Sequence, residues 1–318
     1  MLGLLDAALL QGLFYGVGAI GVAIAFRVLR YPDLTADGAF VLAAACFAAA
    51  MLTWGWPWWA ALLAALAAGG MAGITTGLIH QVAGVNRLLS GILTTMVCYS
   101  LAFRVLSNRG NRSIHGAETP LSWAAAVDRG GALGVDGLHA ATLLVGGGAV
   151  AGVVLIMGLL FRSEWGLVLR ATGSNRSLVQ RFGLNAPRFT LAGLFLANAL
   201  VGVSASMVVA RDGFVDVNMG VGIIIVLIAA LVVGEQILHW VAPKAAAHAV
   251  WGPVLAALVG TFLYYMLYLV VLRASVRGWL PFGIQPTDLR MLSAVLVILM
   301  VLVRSRSARP EPEHSVVL

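Results

Sequence analysis

Long apolar runs constrain this sequence more than any other feature. They lie near residues 5–26, 38–53, 57–79, 88–106, 138–161, 189–209, 218–234, 246–272 and 288–303. Most approach the roughly 20 residues that a helix needs to cross a bilayer. Their apolar residues are continuous rather than alternating, which excludes a transmembrane β-barrel. The sequence therefore predicts an all-α polytopic membrane protein with about 9–10 transmembrane helices, including broken or re-entrant segments.

Composition excludes several other classes. Only 10% of residues are charged, against about a quarter in soluble proteins, so residues 1–304 are predicted to form a single transmembrane domain. The net charge of +7 is spread over loops, which indicates membrane topology and anionic lipid rather than nucleic acid. The sequence contains no Walker motif, no metal-ligand spacing and no catalytic triad order. We therefore expect no catalytic residues, no metal and no cofactor in this chain.

Arginine distribution predicts which loops face the cytoplasm. The loop 162–188 contains five arginines and the tail 305–318 follows Arg304, so both are predicted to be cytoplasmic. Four predicted spans separate the loop from the tail. An even number of crossings returns the chain to the same side of the membrane, so the two assignments agree. The loop 107–137 is then extracytoplasmic. The side of the N-terminus stays open, because residues 27–37 could form either a loop or a re-entrant segment.

The stretch 27–37 indicates a broken helix. Pro32 ends a helix and disfavours helical geometry at the preceding residue. Asp33 or Thr35 could then cap a new helix that contains Asp37. A break at membrane depth is tolerated where it lines a cavity or is buried in protein, and in transporters it often marks the substrate path. These three residues are candidates for a translocation path, and an ordinary cytoplasmic loop is the alternative.

The stretch 164–188 is too patterned to be a simple connection. Gly173 is predicted to stop one helix, and 176–182 can form a short second helix that ends at Gly183. Leu178, Val179 and Phe182 give that helix a small apolar face. Such a helix suits the groove of a partner protein, whereas a basic loop lying on anionic lipid is the alternative.

Two acids near the ends of apolar runs are candidates for membrane-embedded groups. Glu235 and Asp216 are interpreted instead as loop or interface residues. The sequence shows no chain of acids and histidines that would relay protons, which disfavours an ion-coupled secondary carrier.

Three segments together resemble a known family. They are PDLTADGAF at 32–40, NRLLSGILT at 86–94, and GLVLRATGSN at 166–175 followed by FGLN at 182–185. They are similar to motifs of ABC-importer permeases of the branched-chain amino acid and ribose superfamily. The nearest branch is that of permeases assigned to tryptophan/tyrosine transport systems. The pair Gly234-Glu235 departs from a Gly-Gly that is frequent in the wider superfamily.

The resemblance implies a type II-like permease bundle in the bacterial inner membrane. It also implies a second, identical permease copy, two cytoplasmic ATPase subunits that bind ATP and Mg²⁺, and a periplasmic substrate-binding protein. The cargo would be an amino acid or related small solute, with a sugar or nucleoside as the alternative. Residues that would couple the permease to the ATPase are Arg170, Gly173, Asn175, Arg176, Arg181, Phe182, Gly183 and Asn185.

Overall fold

The computed structural model describes residues 2–129, 140–246, 251–276 and 291. Within them the chain forms twelve α-helices and one two-stranded sheet. The helices are α1 Leu2–Ala23, α2 Ala36–Leu52, α3 Trp58–Ala83, α4 Arg87–Val105, α5 Pro120–Arg129, α6 Ala140–Arg162, α7 Glu164–Ser174, α8 Arg176–Arg181, α9 Ala186–Asp212, α10 Ile223–Val241, α11 Pro243–Ala246 and α12 Trp251–Val276. A π turn, Ile24–Val28, continues α1, and a 3₁₀ turn, Val217–Gly220, precedes α10.

Seven stretches of described helix are long and apolar enough to cross a membrane, and α2 is a shorter apolar helix. The predicted spans from 5–26 to 246–272 each coincide with one of these helices. The all-α polytopic fold is therefore confirmed. The last predicted span, 288–303, lies outside the described residues apart from Met291, and so do the tail 305–318 and residues 130–137 of the predicted extracytoplasmic loop.

The bundle has two distinguishable ends. One end carries β1 (Asn111–Ser113), which pairs antiparallel with β2 (Phe214–Asp216), and we call it the strand face. The opposite end carries α7 and α8, and we call it the α8 face. Helix α9 joins the two, since it begins after α8 and ends immediately before β2. Arg112 on β1 donates a hydrogen bond to Thr53 beyond α2, which places the end of α2 at the strand face as well.

Helix α9 lies at the centre of the bundle. It packs along α3 and against α1 and α2, and most of its length is buried. Helix α12 packs against α1 and α10. At the crossing of α10 and α12, Gly234 and Gly260 bring the two backbones together, because a Cβ on either would overlap a carbonyl oxygen of the other helix. Small residues of this kind allow close helix packing in lipid.

The predicted break after α1 is present and it re-enters the bundle. The π turn is followed by Arg30 in a left-handed conformation (φ 51°), and the chain then runs to α2 without helical structure. Thr95 on α4 donates a hydrogen bond to the carbonyl oxygen of Leu34, and Asp33 and Thr35 are buried. The side chains of Tyr31, Asp33 and Thr35 are thus enclosed by protein, as a break at membrane depth requires, whereas Arg30 is exposed.

The predicted start of α2 is confirmed in its position but not in its hydrogen bond, since Thr35 is the N-cap residue. Neither Asp33 nor Thr35 caps α2 with its side chain. Instead, Asp33 accepts a hydrogen bond from the backbone N–H of Thr35, which closes a local turn before the helix begins. The side chain is held in that turn by contacts from other helices, which a local sequence pattern does not contain.

Candidate functional site

The α7–α8 segment forms a corner at the α8 face, with side-chain hydrogen bonds at its helix starts. Ser163 caps α7, and Arg170 donates a hydrogen bond of 2.6 Å to the carbonyl oxygen of Phe161 at the end of α6. Asn175 caps α8 by accepting from the backbone N–H of Leu178, and Asn185 caps α9 in the same way. Side-chain caps satisfy the free N–H groups at helix starts and fix where each helix begins. The three helices therefore meet at defined, hydrogen-bonded joints.

The short helix α8 is predicted from the sequence, and the structure contains it at Arg176–Arg181. After it, Gly183 has a φ of 75°, a conformation that favours glycine at the end of a helix. Of the predicted apolar face, Val179 is buried while Leu178 and Phe182 are 45% and 76% exposed. Arg176 is half-buried and Arg181 is exposed. The segment thus presents a benzyl group and a leucine beside two arginines.

Gly173 has a different role from the predicted one. The prediction that it stops a helix is wrong by one residue, because α7 continues through it to Ser174. A Cβ at this position would overlap the carbonyl oxygen of Val28 in the π turn. The glycine is therefore required by the close approach of α7 to the end of α1. This contact joins the α7–α8 segment directly to the helix that precedes the break.

The break itself is fixed by a buried polar cluster. The Asp33 carboxylate accepts a 2.7 Å hydrogen bond from the side chain of Asn198 on α9. The Thr35 hydroxyl forms a 2.5 Å hydrogen bond with the hydroxyl of Thr76 on α3. A buried polar group that lost its partner would cost about 1–3 kcal/mol. The cluster therefore holds the break in one position against α3 and α9.

Asp37 lies where two helices begin. It is in the first turn of α2, and its carboxylate oxygens accept hydrogen bonds of 3.0 and 2.8 Å from the backbone N–H groups of Gly222 and Ile224 at the start of α10. The carboxylate thus lies near the positive ends of both helix dipoles. Helix α10 accordingly begins inside the bundle, next to the break, and runs from there toward the α8 face.

An ion pair ties α10 to the end of α1. Both Nε and Nη2 of Arg27 donate to the carboxylate of Glu235, at 2.6 and 2.5 Å. Glu235 lies within α10, so its interpretation as a loop residue is wrong, while its place at the membrane interface stays a prediction. A two-point arginine–carboxylate contact fixes orientation as well as distance. The π turn is consequently held by α7 on one side and by α10 on the other.

Exchanging the charges of this pair should distinguish it from a loose surface contact. Arg27→Glu alone places two carboxylates together, and we expect a loss of up to about 1 kcal/mol of stability because both side chains are partly exposed. Adding Glu235→Arg should restore most of that loss. Thermal unfolding of the purified variants measures both. A double variant no more stable than Arg27→Glu would contradict the pairing.

The structure adds residues that sequence reasoning does not single out. Asn198 and Thr76 complete the polar cluster, yet each stands among mainly small and apolar neighbours in the sequence. No short-range pattern could have identified them. The predicted coupling residues from Arg170 to Asn185 are brought together on the α8 face, while Asp33, Thr35 and Asp37 lie deeper, at the break.

Comparisons with known proteins agree with this architecture. A family described as branched-chain amino acid transport system, permease component, matches residues 4–304. An uncharacterized protein of Rickettsia prowazekii is 29% identical over 301 residues, covering 93% of this chain and 96% of that protein. A tyrosine transport system permease protein of Clostridioides difficile is 26% identical over 294 residues, covering 91% and 87%. No solved structure matches significantly.

The family match extends over nearly the whole described bundle, from α1 to beyond α12. It includes the break, the α7–α8 corner and the Arg27–Glu235 pair. The multi-pass helical fold, the helix break and the α7–α8 segment thus lie within one continuous family match. The chain belongs to the family of permease components of branched-chain amino acid transport systems.

Proposed function

We propose that this chain is the transmembrane permease subunit of an ATP-driven ABC importer in the bacterial inner membrane. Its cargo is an amino acid or related small solute, delivered by a periplasmic substrate-binding protein to the strand face. The family description and the name of the Clostridioides difficile relative support an amino acid as cargo. The α8 face, the loop 162–188 and the tail 305–318 are cytoplasmic in this proposal, and the loop 107–137 is extracytoplasmic.

The exposed surface of α8 is the observation that supports this proposal best. Phe182 is 76% exposed and follows Arg181 directly in the chain, so an apolar ring stands uncovered beside a positive charge. An apolar residue flanked by arginines matches the aromatic and arginine residues that dominate protein–protein contacts. The proposed partner is a cytoplasmic ATPase, one on each of two permease copies, which binds ATP and Mg²⁺. This chain itself then needs no cofactor and catalyses no reaction.

A mechanical route from α8 to the bundle follows from the contacts. Movement of α8 would displace α7, since Asn175 lies at the end of one and caps the other. Gly173 would transmit that displacement to Val28, and Arg27 would transmit it to α10 through Glu235. ATP-dependent closure of the partner could thereby shift two helices that begin or end near the break. Alternating access requires such a shift between two states.

The translocation path is proposed to run beside the break. The prediction that Asp33, Thr35 and Asp37 border it stays a prediction, because each also has a structural partner inside the chain. In transporters, helices that begin at membrane depth commonly surround the substrate site. The start of α10 and the start of α2 meet that description here.

Reversing the two arginines of α8 tests the proposal. Arg176→Glu with Arg181→Glu should lower recovery of the cognate ATPase at least fivefold when the permease is affinity-purified from a co-expressing strain. The physical reason is that complementary charge accelerates association and like charge opposes it. Recovery of the ATPase is measured by quantitative gel densitometry, with permease monodispersity checked by size-exclusion chromatography.

A matched control is available near the other end of the bundle. Arg104 and Arg109 are exposed, so Arg104→Glu with Arg109→Glu makes the same charge change away from the α8 face. ATPase recovery should then equal that of the parent chain. Equal recovery from all three proteins would refute the coupling role of α8.

A further inference from the structure

Two adjoining cavities lie near the strand face. The first has a volume of about 210 Å³ and its walls include His115, Thr142 and Arg211. The second, of about 90 Å³, has mainly apolar walls that include Phe14, Trp58 and Val145, with Thr119 and Ser206 as polar members. Thr119, Leu121 and Ala210 belong to the walls of both. The two cavities therefore adjoin, and we call the first the polar end and the second the apolar end of this pair.

Among the residues that the structure describes, no carboxylate forms an ion pair with the positive charge at the polar end. Within the described part of the chain, Arg211 forms no ion pair, although Asp212 lies close enough to interact with it electrostatically. His115 lies against Gly213, where its ring occupies the place of a side chain. A positive, half-buried arginine beside an imidazole is suited to an anionic group with several acceptor oxygens.

The other polar groups of this cavity are already engaged. Thr119 and Ser122 bond each other reciprocally at the start of α5, in the manner of a helix cap. The Thr142 hydroxyl donates to Asp128, whose carboxylate also accepts backbone N–H groups at the start of α6. Recognition of a ligand in this cavity would therefore depend mainly on Arg211 and His115.

The two ends lie at the depths in the membrane where the head group and the acyl chains of a lipid lie. Arg211 is in the last turn of α9 and Thr142 in the first turn of α6, so the polar end lies where helices leave the membrane. Val145 and Ala149 line the apolar end roughly one to two turns deeper. Both are exposed on the outside of the bundle, so this end opens to the surface that lipid tails contact. Trp58, at the start of α3, is a residue typical of that interface.

We infer that these cavities form one binding site for an anionic phospholipid of the leaflet next to the strand face. Any ligand of this site needs an anionic group at one end and an apolar group at the other. The head group lies against Arg211 and His115, and an acyl chain enters between Phe14, Trp58 and Val145. A small apolar carboxylate arriving from solution has the same chemistry, but it would not require an opening toward lipid. The inference does not depend on the proposed transport function.

Native mass spectrometry of the purified chain tests the site with two lipids that share acyl chains. The detergent-solubilised protein is titrated with dioleoyl-phosphatidylglycerol and, separately, with zwitterionic dioleoyl-phosphatidylcholine. The parent chain should retain the anionic lipid at least fivefold more than the zwitterionic one. Arg211→Gln should abolish that preference, whereas Arg109→Gln, which removes an exposed arginine elsewhere near the strand face, should keep it.

A second variant tests the binding of the acyl chain. It also keeps the inference testable if Arg211→Gln does not fold. Ala149→Phe fills the apolar end from an exposed position, and it should lower retention of both lipids at least threefold. Equal anionic preference in the parent chain and Arg211→Gln would overturn the inference. So would displacement of the lipid by millimolar 3-phenylpropionate with thermal stabilisation of the protein, because that result would assign the site to a small solute.

Discussion

Replacing Gly234 by valine is expected to lower the unfolding temperature of the purified chain markedly, whereas Gly148→Val is expected to have little effect. A Cβ at Gly234 would overlap the carbonyl oxygen of Ala256, and the reciprocal Gly260 meets Ala230 in the same way. Both obstacles are backbone atoms, so no side-chain rotation relieves them. Over-packing usually costs about 1–3 kcal/mol, and we expect the upper end of that range here.

Gly148 is the matched control because it too lies within a membrane helix. A Cβ there meets nothing within 4 Å, and the residue is exposed. Thermal unfolding followed by tryptophan fluorescence, with size-exclusion chromatography, compares the two variants. If Gly234→Val unfolded at the same temperature as Gly148→Val, the close crossing of α10 and α12 would be wrong.

The long apolar helices are predictable from the sequence for a clear physical reason, whereas α5 and α11 are not predicted by it. Lipid offers no hydrogen bonds to the backbone, so a long apolar run has little alternative to a helix. The short helix α8 is equally accessible, because its signals are local: asparagines that cap helix starts and a glycine that follows its end. These features depend on neighbours in the chain and not on the tertiary structure.

Contacts between distant residues cannot be predicted in this way. Arg27 and Glu235 are separated by 208 positions, and no pattern around either residue indicates the pairing. The departure Gly234-Glu235 from the Gly-Gly of the wider superfamily now has an account in this chain. Gly234 is required by the crossing with α12, and Glu235 holds the π turn through Arg27.

Asp37 is a second example of a contact that the local sequence does not predict. Its position after a proline and two polar residues indicates a polar path at the start of α2. The structure adds that its carboxylate binds the start of α10, which no pattern around residue 37 indicates. A local break is therefore predictable, while the helix that meets it is not.

Replacing Phe182 by aspartate is expected to have the largest effect on partner binding. Phe182 is 76% exposed, so the change should leave the bundle folded. If the ring is buried by the ATPase, losing it and burying a charge should cost about 3 kcal/mol, or roughly a 150-fold weaker Kd. Biolayer interferometry with the purified permease and its cognate ATPase measures this directly.

The control for Phe182→Asp is Val82→Asp, at the end of α3 on the same face. Val82 is 83% exposed and lies outside the α7–α8 segment. The Kd of Val82→Asp for the ATPase should therefore stay within about twofold of that of the parent chain. The effect of Phe182→Asp should also persist at high salt, because it removes an apolar contact, whereas the effect of the α8 arginine reversal should weaken as salt screens the charges. An unchanged Kd for Phe182→Asp would mean that the ATPase does not bury this ring. The force on α7 would then have to enter the bundle elsewhere.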